Sequence, residues 1–406
     1  MSRALIVREA VKLSKGKAFL NSAIVLYFII CFEILIMISP FAGFFYSAFN
    51  PFLLGLAKYR ATKWLSSFFF THMVVPPNDF LKAIRVMGSV FFALGLIVFL
   101  ACALQVYANK FFKNGRPVLK GLYSLIRHPQ YLSLGIAGVG LAILWPRFLV
   151  VVLWLVMIFV YYLLSRDEEA RMERQHSETY KEYMAGTGMF LPKRIENAVS
   201  FSTAQGKIAL FLLISVFAIG GAFLLRSYTV NHLPLWAGSN VVALAVFPED
   251  EQMMDHRMGD ILKAEEVKSR LVGTESYLVY FLPTNYVMQG LIADTGGDWQ
   301  LYRRHHSIGR FADWVVHPFS HLGGGHHSIY EQTGHPEHGR VAGSVRRLIF
   351  LKVSNVSVGK ATDAFAIKAT RTPDFMVDLD VHSLRILDLR SLPIETAWGK
   401  VPTPSF

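Results

Sequence analysis

The chain has 406 residues, 53% of them apolar and only 17% charged, against about 25% charged in an ordinary soluble domain. Its formal charge of +12 comes with no zinc-finger or other nucleic-acid signature, and the positive residues flank apolar runs. Membrane topology and anionic lipid therefore explain the charge better than nucleic acid does. The two cysteines, Cys31 and Cys102, lie inside apolar runs and offer neither a disulfide framework nor a cysteine metal site.

Residues 1–17 carry Arg3, Arg8, Lys12, Lys15 and Lys17 against Glu9, which predicts a cytoplasmic flank. Residues 18–57 follow with Glu33 as their one charge. This run lacks the form of a cleavable signal peptide. It exceeds the roughly 20 residues of one span, and Pro40 and Pro51 interrupt it. One span with an interfacial continuation and a hairpin both fit. Glu33 fits a functional or a packed structural glutamate. In residues 58–85, Lys58, Arg60 and Lys63 precede Trp64-Leu-Ser-Ser-Phe-Phe-Phe70, which suggests an interfacial amphipathic helix or a short extra crossing.

Val86 to Ala108 is the clearest span, 23 residues without a charge. Lys110, Lys113, Arg116, Lys120 and Arg127 come next with no acidic residue among them, so this face is expected to be cytoplasmic. Gly121-Leu-Tyr-Ser-Leu-Ile-Arg-His-Pro-Gln-Tyr131 leads into two apolar arms folded at Trp145-Pro146-Arg147. Arms of about 15 and 18 residues, rising about 1.5 Å each, are similar in length. Their outer ends should return to one face and bring Arg127, His128 and Tyr131 near Glu168 and Glu169. A charged helix is expected from Arg166 onward, with Met172, His176, Tyr180 and Tyr183 on one stripe.

Ile208 to Leu225 is another uncharged run, of 18 residues. With the acid-bearing face cytoplasmic, it leaves the remainder outside. That remainder reads as a soluble α+β domain. Glu249–Leu271 is expected to be helical. Tyr277–Leu282, Arg347–Val358, Ala364–Thr370, Met376–Val381 and Leu384–Leu389 read as strands. Asn355-Val-Ser357 matches a glycosylation sequon but falls in one of those strands. Eight of the 14 histidines, His305, His306, His317, His321, His326, His327, His335 and His338, cluster with Asp313, Glu331 and Glu337. Imidazole with carboxylate suits a transition metal. However, Pro318 separates His317 from His321, Gly323-Gly-Gly325 favours a loop, and no His-Glu-x-x-His spacing occurs. A polar surface loop is the preferred reading, and no metal ligands are assigned.

At the hairpin's ends, charges at membrane depth must be paired or hydrogen-bonded. One reading is an ion pair that locks the two ends together. The other is a polar ligand site. There Arg127 offers a donor fork to a carboxylate, Glu168 or Glu169 accepts from a ribose or an amino group, and Tyr123 and Tyr131 offer aromatic faces to a cation.

The order Gly121-x-Tyr123, Arg127-His128-Pro129-x-Tyr131, apolar hairpin, Glu168-Glu169-x-x-Met172, Tyr180-x-x-Tyr183 and Phe190-Leu-Pro192 resembles the isoprenylcysteine carboxyl methyltransferase and phospholipid methyltransferase group, over about residues 85–195. The resemblance implies an all-α polytopic membrane domain of about five to six transmembrane helices. It also implies S-adenosylmethionine as methyl donor and a lipid-like, membrane-partitioned acceptor. It places Gly121, Tyr123, Arg127, His128, Pro129, Tyr131, Glu168 and Glu169 at the cofactor, with Arg127, His128 and Glu168 as candidate catalytic groups. The chain then divides into N-terminal membrane helices and an interfacial segment (1–85), a methyltransferase-like core (86–195), a final transmembrane helix (196–230) and the α+β domain (231–406). The pattern departs at His176-Ser177, where the group commonly has Phe-Gly, and at Gly186-Thr-Gly188-Met189. These departures bear on the helix after the glutamates and on acceptor choice. His128 or His176 could serve as a base for an amine or thiol acceptor. Two other classes remain open: an NADPH-dependent membrane reductase of the sterol type, and a non-catalytic membrane protein whose tail binds a metal or a partner.

Overall fold

The computed structural model describes residues 53, 55–112, 118–175, 177–199, 203–286, 289–293 and 344–394. The expectations for residues 1–52 (the Glu33 span), for His176 and for the histidines between 305 and 338 lie outside the described residues. What is described forms two compact units, one from Phe80 to Leu225 and one joining residues up to Asp79 with those from Arg226 onward.

In the stretch left open between an interfacial helix and a crossing, α1 (Lys63–Ser66) is a single turn. Phe68, Phe69 and Phe70 beyond it are buried. They belong to the unit that holds the sheet: the Val75 amide donates to Val246 O at 2.9 Å.

The membrane unit is helical. Helix α2 (Asp79–Phe112) is followed by a 3-10 turn at Gly121–Ser124 and by the hairpin of α3 (Pro129–Leu144) and α4 (Phe148–Gln175). Pro129 opens α3 at the first helical position, where its missing N–H costs nothing. Short helices α5 (Ser177–Gly186) and α6 (Lys193–Val199) precede α7 (Ala204–Asn231). Three of the described helices, Asp79–Asn109, Phe148–Gln175 and Ala204–Asn231, are long and apolar enough to cross a membrane. The expected five to six included spans in residues 1–52, which lie outside the described residues. The first hairpin arm has only 16 residues, roughly 24 Å of rise against a hydrocarbon core of about 30 Å.

Small residues let the helices approach. A methyl group on Gly95 would stand 2.6 Å from the Ser133 carbonyl oxygen and the Ala137 nitrogen, and one on Gly140 would stand 2.3 Å from the Phe92 nitrogen. Helices α2 and α3 therefore meet backbone to backbone, the packing that dispersion forces favour in lipid. Across the hairpin, Trp154 Nε1 donates to Gly135 O at 2.9 Å, which fixes the arms in register.

The second unit is built on a six-stranded mixed sheet in sequential order: β1 (Leu235–Ala237), β2 (Val241–Ala245), β3 (Ser276–Pro283), β4 (Val345–Ser354), β5 (Thr370–Asp380) and β6 (Ile386–Ser391). Only β2 and β3 pair in parallel. The link between them carries α8 (Glu251–Ile261) and α9 (Glu265–Lys268). One helix was expected over Glu249–Leu271; two form. Met254, Met258, Ile261 and Val267 of these helices pack on alternate residues of β2 to β5, with Phe350 and Phe375 stacked at 4.2 Å.

Strands β1 and β2 were not expected. β2 is buried at every position, so it lacks the alternation that marks a half-exposed strand. The strand expected over Ala364–Thr370 is corrected. Ala361–Phe365 is a 3-10 turn, initiated where Asp363 Oδ2 accepts from the Gly359 and Lys360 amides, and the strand begins at Thr370. β4 likewise stops at Ser354, because Asn355 turns out of it with φ 65°.

Candidate active site

The hairpin closes as its arm lengths require. Arg127 Nε donates to Glu169 Oε1 at 2.5 Å. His128 is buried, its Nε2 3.3 Å from Glu169 Oε1 and its Nδ1 3.6 Å from Glu168 Oε2. The Tyr131 hydroxyl donates to Glu168 Oε2 at 3.4 Å. The His128 ring stacks on Tyr131, and Tyr131 stacks on Tyr161.

The two neighbouring glutamates have different surroundings. The Glu169 side chain is 11% exposed and takes both the arginine and the imidazole. That of Glu168 is 39% exposed. Its neighbours, Tyr131 at 3.4 Å and His128 at 3.6 Å, are long for strong hydrogen bonds.

A third segment completes the site. Arg127 Nη1 donates to Thr187 O and, at 3.3 Å, to Met184 O. The Arg127 and His128 amides donate to Gly188 O and Met189 O at 2.8 and 3.1 Å, a short parallel bridge between Ile126 and Gly188. The single charged helix expected to carry Tyr180 and Tyr183 beyond Glu169 is excluded by this geometry. A straight helix would put Thr187 roughly 27 Å from Glu169, yet one guanidinium touches both. The chain turns back after α4, and both tyrosines stand on α5.

The returning segment is tightly specified. The Tyr183 hydroxyl donates to Tyr123 O at 2.5 Å, and Thr187 Oγ1 donates to Tyr183 O at 2.6 Å. Glu196 of α6 accepts from the Met189 amide. Gly188 tolerates no side chain, since a methyl there would stand 1.8 Å from Leu191 O.

The predicted site residues therefore gather at one end of the hairpin. Arg127, His128, Tyr131, Glu168 and Glu169 share contacts. Pro129 starts α3, and Tyr123 is fixed through its carbonyl. Gly121, exposed, has φ 69°, the left-handed region where glycine carries no steric penalty. Met184 and Glu196 were not foreseen, and Thr187 and Gly188 were noted only within the departing Gly186–Met189 stretch; all four join through backbone groups or a backbone cap.

The Tyr123 hydroxyl is buried and has no hydrogen-bond partner among the described residues. Burial foremost, then Cys102 and Glu168, push its pKa up. Burial, with both glutamates adding, raises that of Tyr180, and burial raises that of Tyr183 to about 12. All three phenols are protonated near neutrality. The site is thus two carboxylates, one committed and one available, among neutral phenols and an arginine whose Nη2 is its one nitrogen without a bond.

Residues 77–179 match the family model of phospholipid methyltransferase, a span that contains α2, the hairpin and both glutamates. No curated protein and no solved structure matches the chain.

Proposed function

We propose, from the match of residues 77–179 to the phospholipid methyltransferase family, that this protein is an integral membrane methyltransferase. In this reading it uses S-adenosylmethionine, and the acceptor is a lipid-like or isoprenylated molecule methylated on a carboxylate or an amine. Residues 86–195 form the core of the enzyme and 231–406 a separate α+β domain.

The observation that carries the reading is the unequal pair. Glu169 is neutralised within the fold, while Glu168 keeps an accessible carboxylate beside aromatic rings and a partnerless buried hydroxyl. These residues fit the proposed cofactor. Glu168 accepts from a ribose or an amino group. Arg127 Nη2 donates to its carboxylate. The rings of Tyr123, Tyr131 and Tyr183 suit a positive centre, and Gly121 and Pro129 shape the approach. When bound, S-adenosylmethionine supplies an electrophilic methyl group.

The chain's own contribution is positional. The Arg127–Glu169 pair ties the hairpin to the returning segment, so the reacting groups are held in line rather than assembled by diffusion. His128 is enclosed between both carboxylates, 3.3 Å from Glu169 and 3.6 Å from Glu168. A carboxylate acceptor needs no base. For an amine or thiol, His128 is the imidazole at hand to take the proton.

Lys110, Lys113, Arg116, Lys120 and Arg127, with no acidic residue between them, support a cytoplasmic site. Residues up to Asp79 pack in one unit with those from Arg226 onward. With both hairpin arms counted beside α2 and α7, this reading has four crossings and an extracytoplasmic C-terminal domain.

Calorimetric titration of the detergent-solubilised full chain with S-adenosylmethionine and with NADPH tests the reading. Expected are saturable binding of the first, loss of it in Glu168→Gln, and transfer of isotopically labelled methyl to a lipid-soluble product. A folded protein that binds NADPH, or neither compound, overturns it.

A further inference from the structure

The stretch Lys58–Trp64 and the segment from Lys360 to Arg371 are far apart in sequence, yet they meet in the sheet unit. Lys63 Nζ donates to Lys368 O at 2.8 Å and lies 3.4 Å from Thr370 Oγ1. Arg371, on β5, donates to the carbonyls of Ala364 and Ala366 at 2.9 and 3.4 Å. The two joined segments carry six cations between them: Lys58, Arg60, Lys63, Lys360, Lys368 and Arg371. Lys58, Arg60, Lys360 and Lys368 are exposed.

Lys63 and Arg371 donate to carbonyl and hydroxyl oxygens, which accept a hydrogen bond without neutralising a charge. Asp363, the carboxylate within the second segment, is committed to the Gly359 and Lys360 amides. Burial foremost, with the adjacent Arg371 adding, lowers the Lys63 pKa. Aromatic rings accompany the cations. Tyr59 is 63% exposed, with Lys58 Nζ 6.0 Å from its ring centre, and Trp64 is half-buried.

A second observation ties this face to the end of an apolar run. Arg226 is the first charge after the uncharged run Ile208–Leu225, and its guanidinium donates to Phe68 O and to Phe365 O. Phe68 follows Trp64 by four residues, and Phe365 precedes Lys368 by three. Both halves of the basic face are thus hydrogen-bonded to the residue that marks where apolar chain ends. Basic residues with tyrosine and tryptophan at that depth have the composition of a headgroup-contacting surface.

We propose that the face made by residues 58–64 and 360–371 lies on phosphate-bearing anionic lipid headgroups and docks the sheet unit onto the bilayer surface. It is separate from the acid-pair site and does not depend on the methyltransferase reading. It also changes the sense of the Lys58–Phe70 sequence: the phenylalanines are sheet-unit core, and the basic-aromatic half is the membrane contact.

Amide hydrogen exchange on the full chain in nanodiscs tests this. The discs would hold phosphatidylcholine alone or with about 30% phosphatidylglycerol, since anionic lipid attracts each basic residue. Amides in 55–66 and 359–371 are expected to exchange roughly fivefold more slowly in the anionic discs. The difference should disappear at about 0.5 M salt and in a combined Lys58→Gln, Arg60→Gln, Lys360→Gln, Lys368→Gln variant. Retained protection of β3 and β4 shows that the variant is folded; if it is not, the wild-type comparison and its salt dependence decide. Equal exchange in both discs overturns the proposal. So does equal slowing by inorganic phosphate in phosphatidylcholine discs, which would indicate a discrete anion site.

Discussion

Each unit buries arginine–carboxylate pairs, and their surroundings differ. In the sheet unit, Arg346 meets Asp250 through two bonds at 2.7 and 3.1 Å. Arg347 meets Asp378 through two bonds at 2.5 and 2.7 Å and adds Gln289 Oε1 at 2.9 Å. These forks are engaged bidentately. In the membrane unit, Arg127 gives one nitrogen to Glu169 and another to backbone carbonyls, while Glu168 next door stays accessible. Buried pairs that satisfy themselves hold a fold. A pair with an available carboxylate and a partnerless phenol beside it has capacity for something else.

The strongest way to break this comparison is to remove one partner from each kind of pair. Asp378→Ala should destabilise the sheet unit by about 3–5 kcal/mol, because it removes the carboxylate that neutralises a buried guanidinium, and should leave S-adenosylmethionine affinity unchanged. Arg127→Ala should cost a similar amount in the membrane unit and abolish cofactor binding as well. Thermal unfolding and titration on the same samples check both. Equal loss of binding in the two variants would erase the distinction.

A finer cut separates the two glutamates. Glu168→Gln should change stability by under about 1 kcal/mol, as expected for a half-exposed group, yet weaken S-adenosylmethionine binding about 10- to 100-fold, the scale of one charged hydrogen bond. Glu169→Gln should reverse the order, with a larger loss in thermal stability. Matching profiles for the two variants would show that Glu168 is only a second structural acid.

The hairpin and its acid pair were legible in sequence because helix length and Pro146 determine where the arms end, and residue type determines what those ends bear. The returning segment was not. Arg127 holds it through Thr187 O and Met184 O, and any residue presents a carbonyl. For the same reason Tyr180 and Tyr183 read as an extension of α4. In the sheet unit, β3 and β6 were visible from β-branched and aromatic residues. The fully buried β2 showed no period, and Ala364–Thr370 looked like a strand until Asp363 captured the Gly359 and Lys360 amides. Phe68–Phe70 looked lipid-bound because an apolar run has the same composition in a sheet core as at an interface.

Tyr123→Phe sharpens the comparison further. The hydroxyl lacks a partner among the described residues, so its removal should leave stability unchanged or slightly higher. If it meets the cofactor, affinity should fall about three- to tenfold, the range of one neutral hydrogen bond. Unchanged affinity would place the bound molecule away from Tyr123.

The smallest expected effect belongs to a carboxylate in the sheet unit that is satisfied without any arginine in its bonds. Asp380 ends β5 and opens a turn. It accepts from Ser344 Oγ at 2.6 Å, from the His382 and Ser383 amides at 3.0 and 2.8 Å, and from Ser383 Oγ at 3.0 Å. The Ser344 bond foremost, with the Ser383 bonds, holds its pKa well below the usual carboxylate range. Because the folded value is depressed, the stabilisation is fully present above the unfolded value of about 4 and is lost as pH falls toward the folded one. Asp380→Asn should therefore lower Tm modestly at pH 6, and the gap from wild type should narrow on acidification toward pH 3. A gap that widens with acid would reverse the sign. It would mean that the turn prefers a protonated Asp380, contrary to the donors pointed at it.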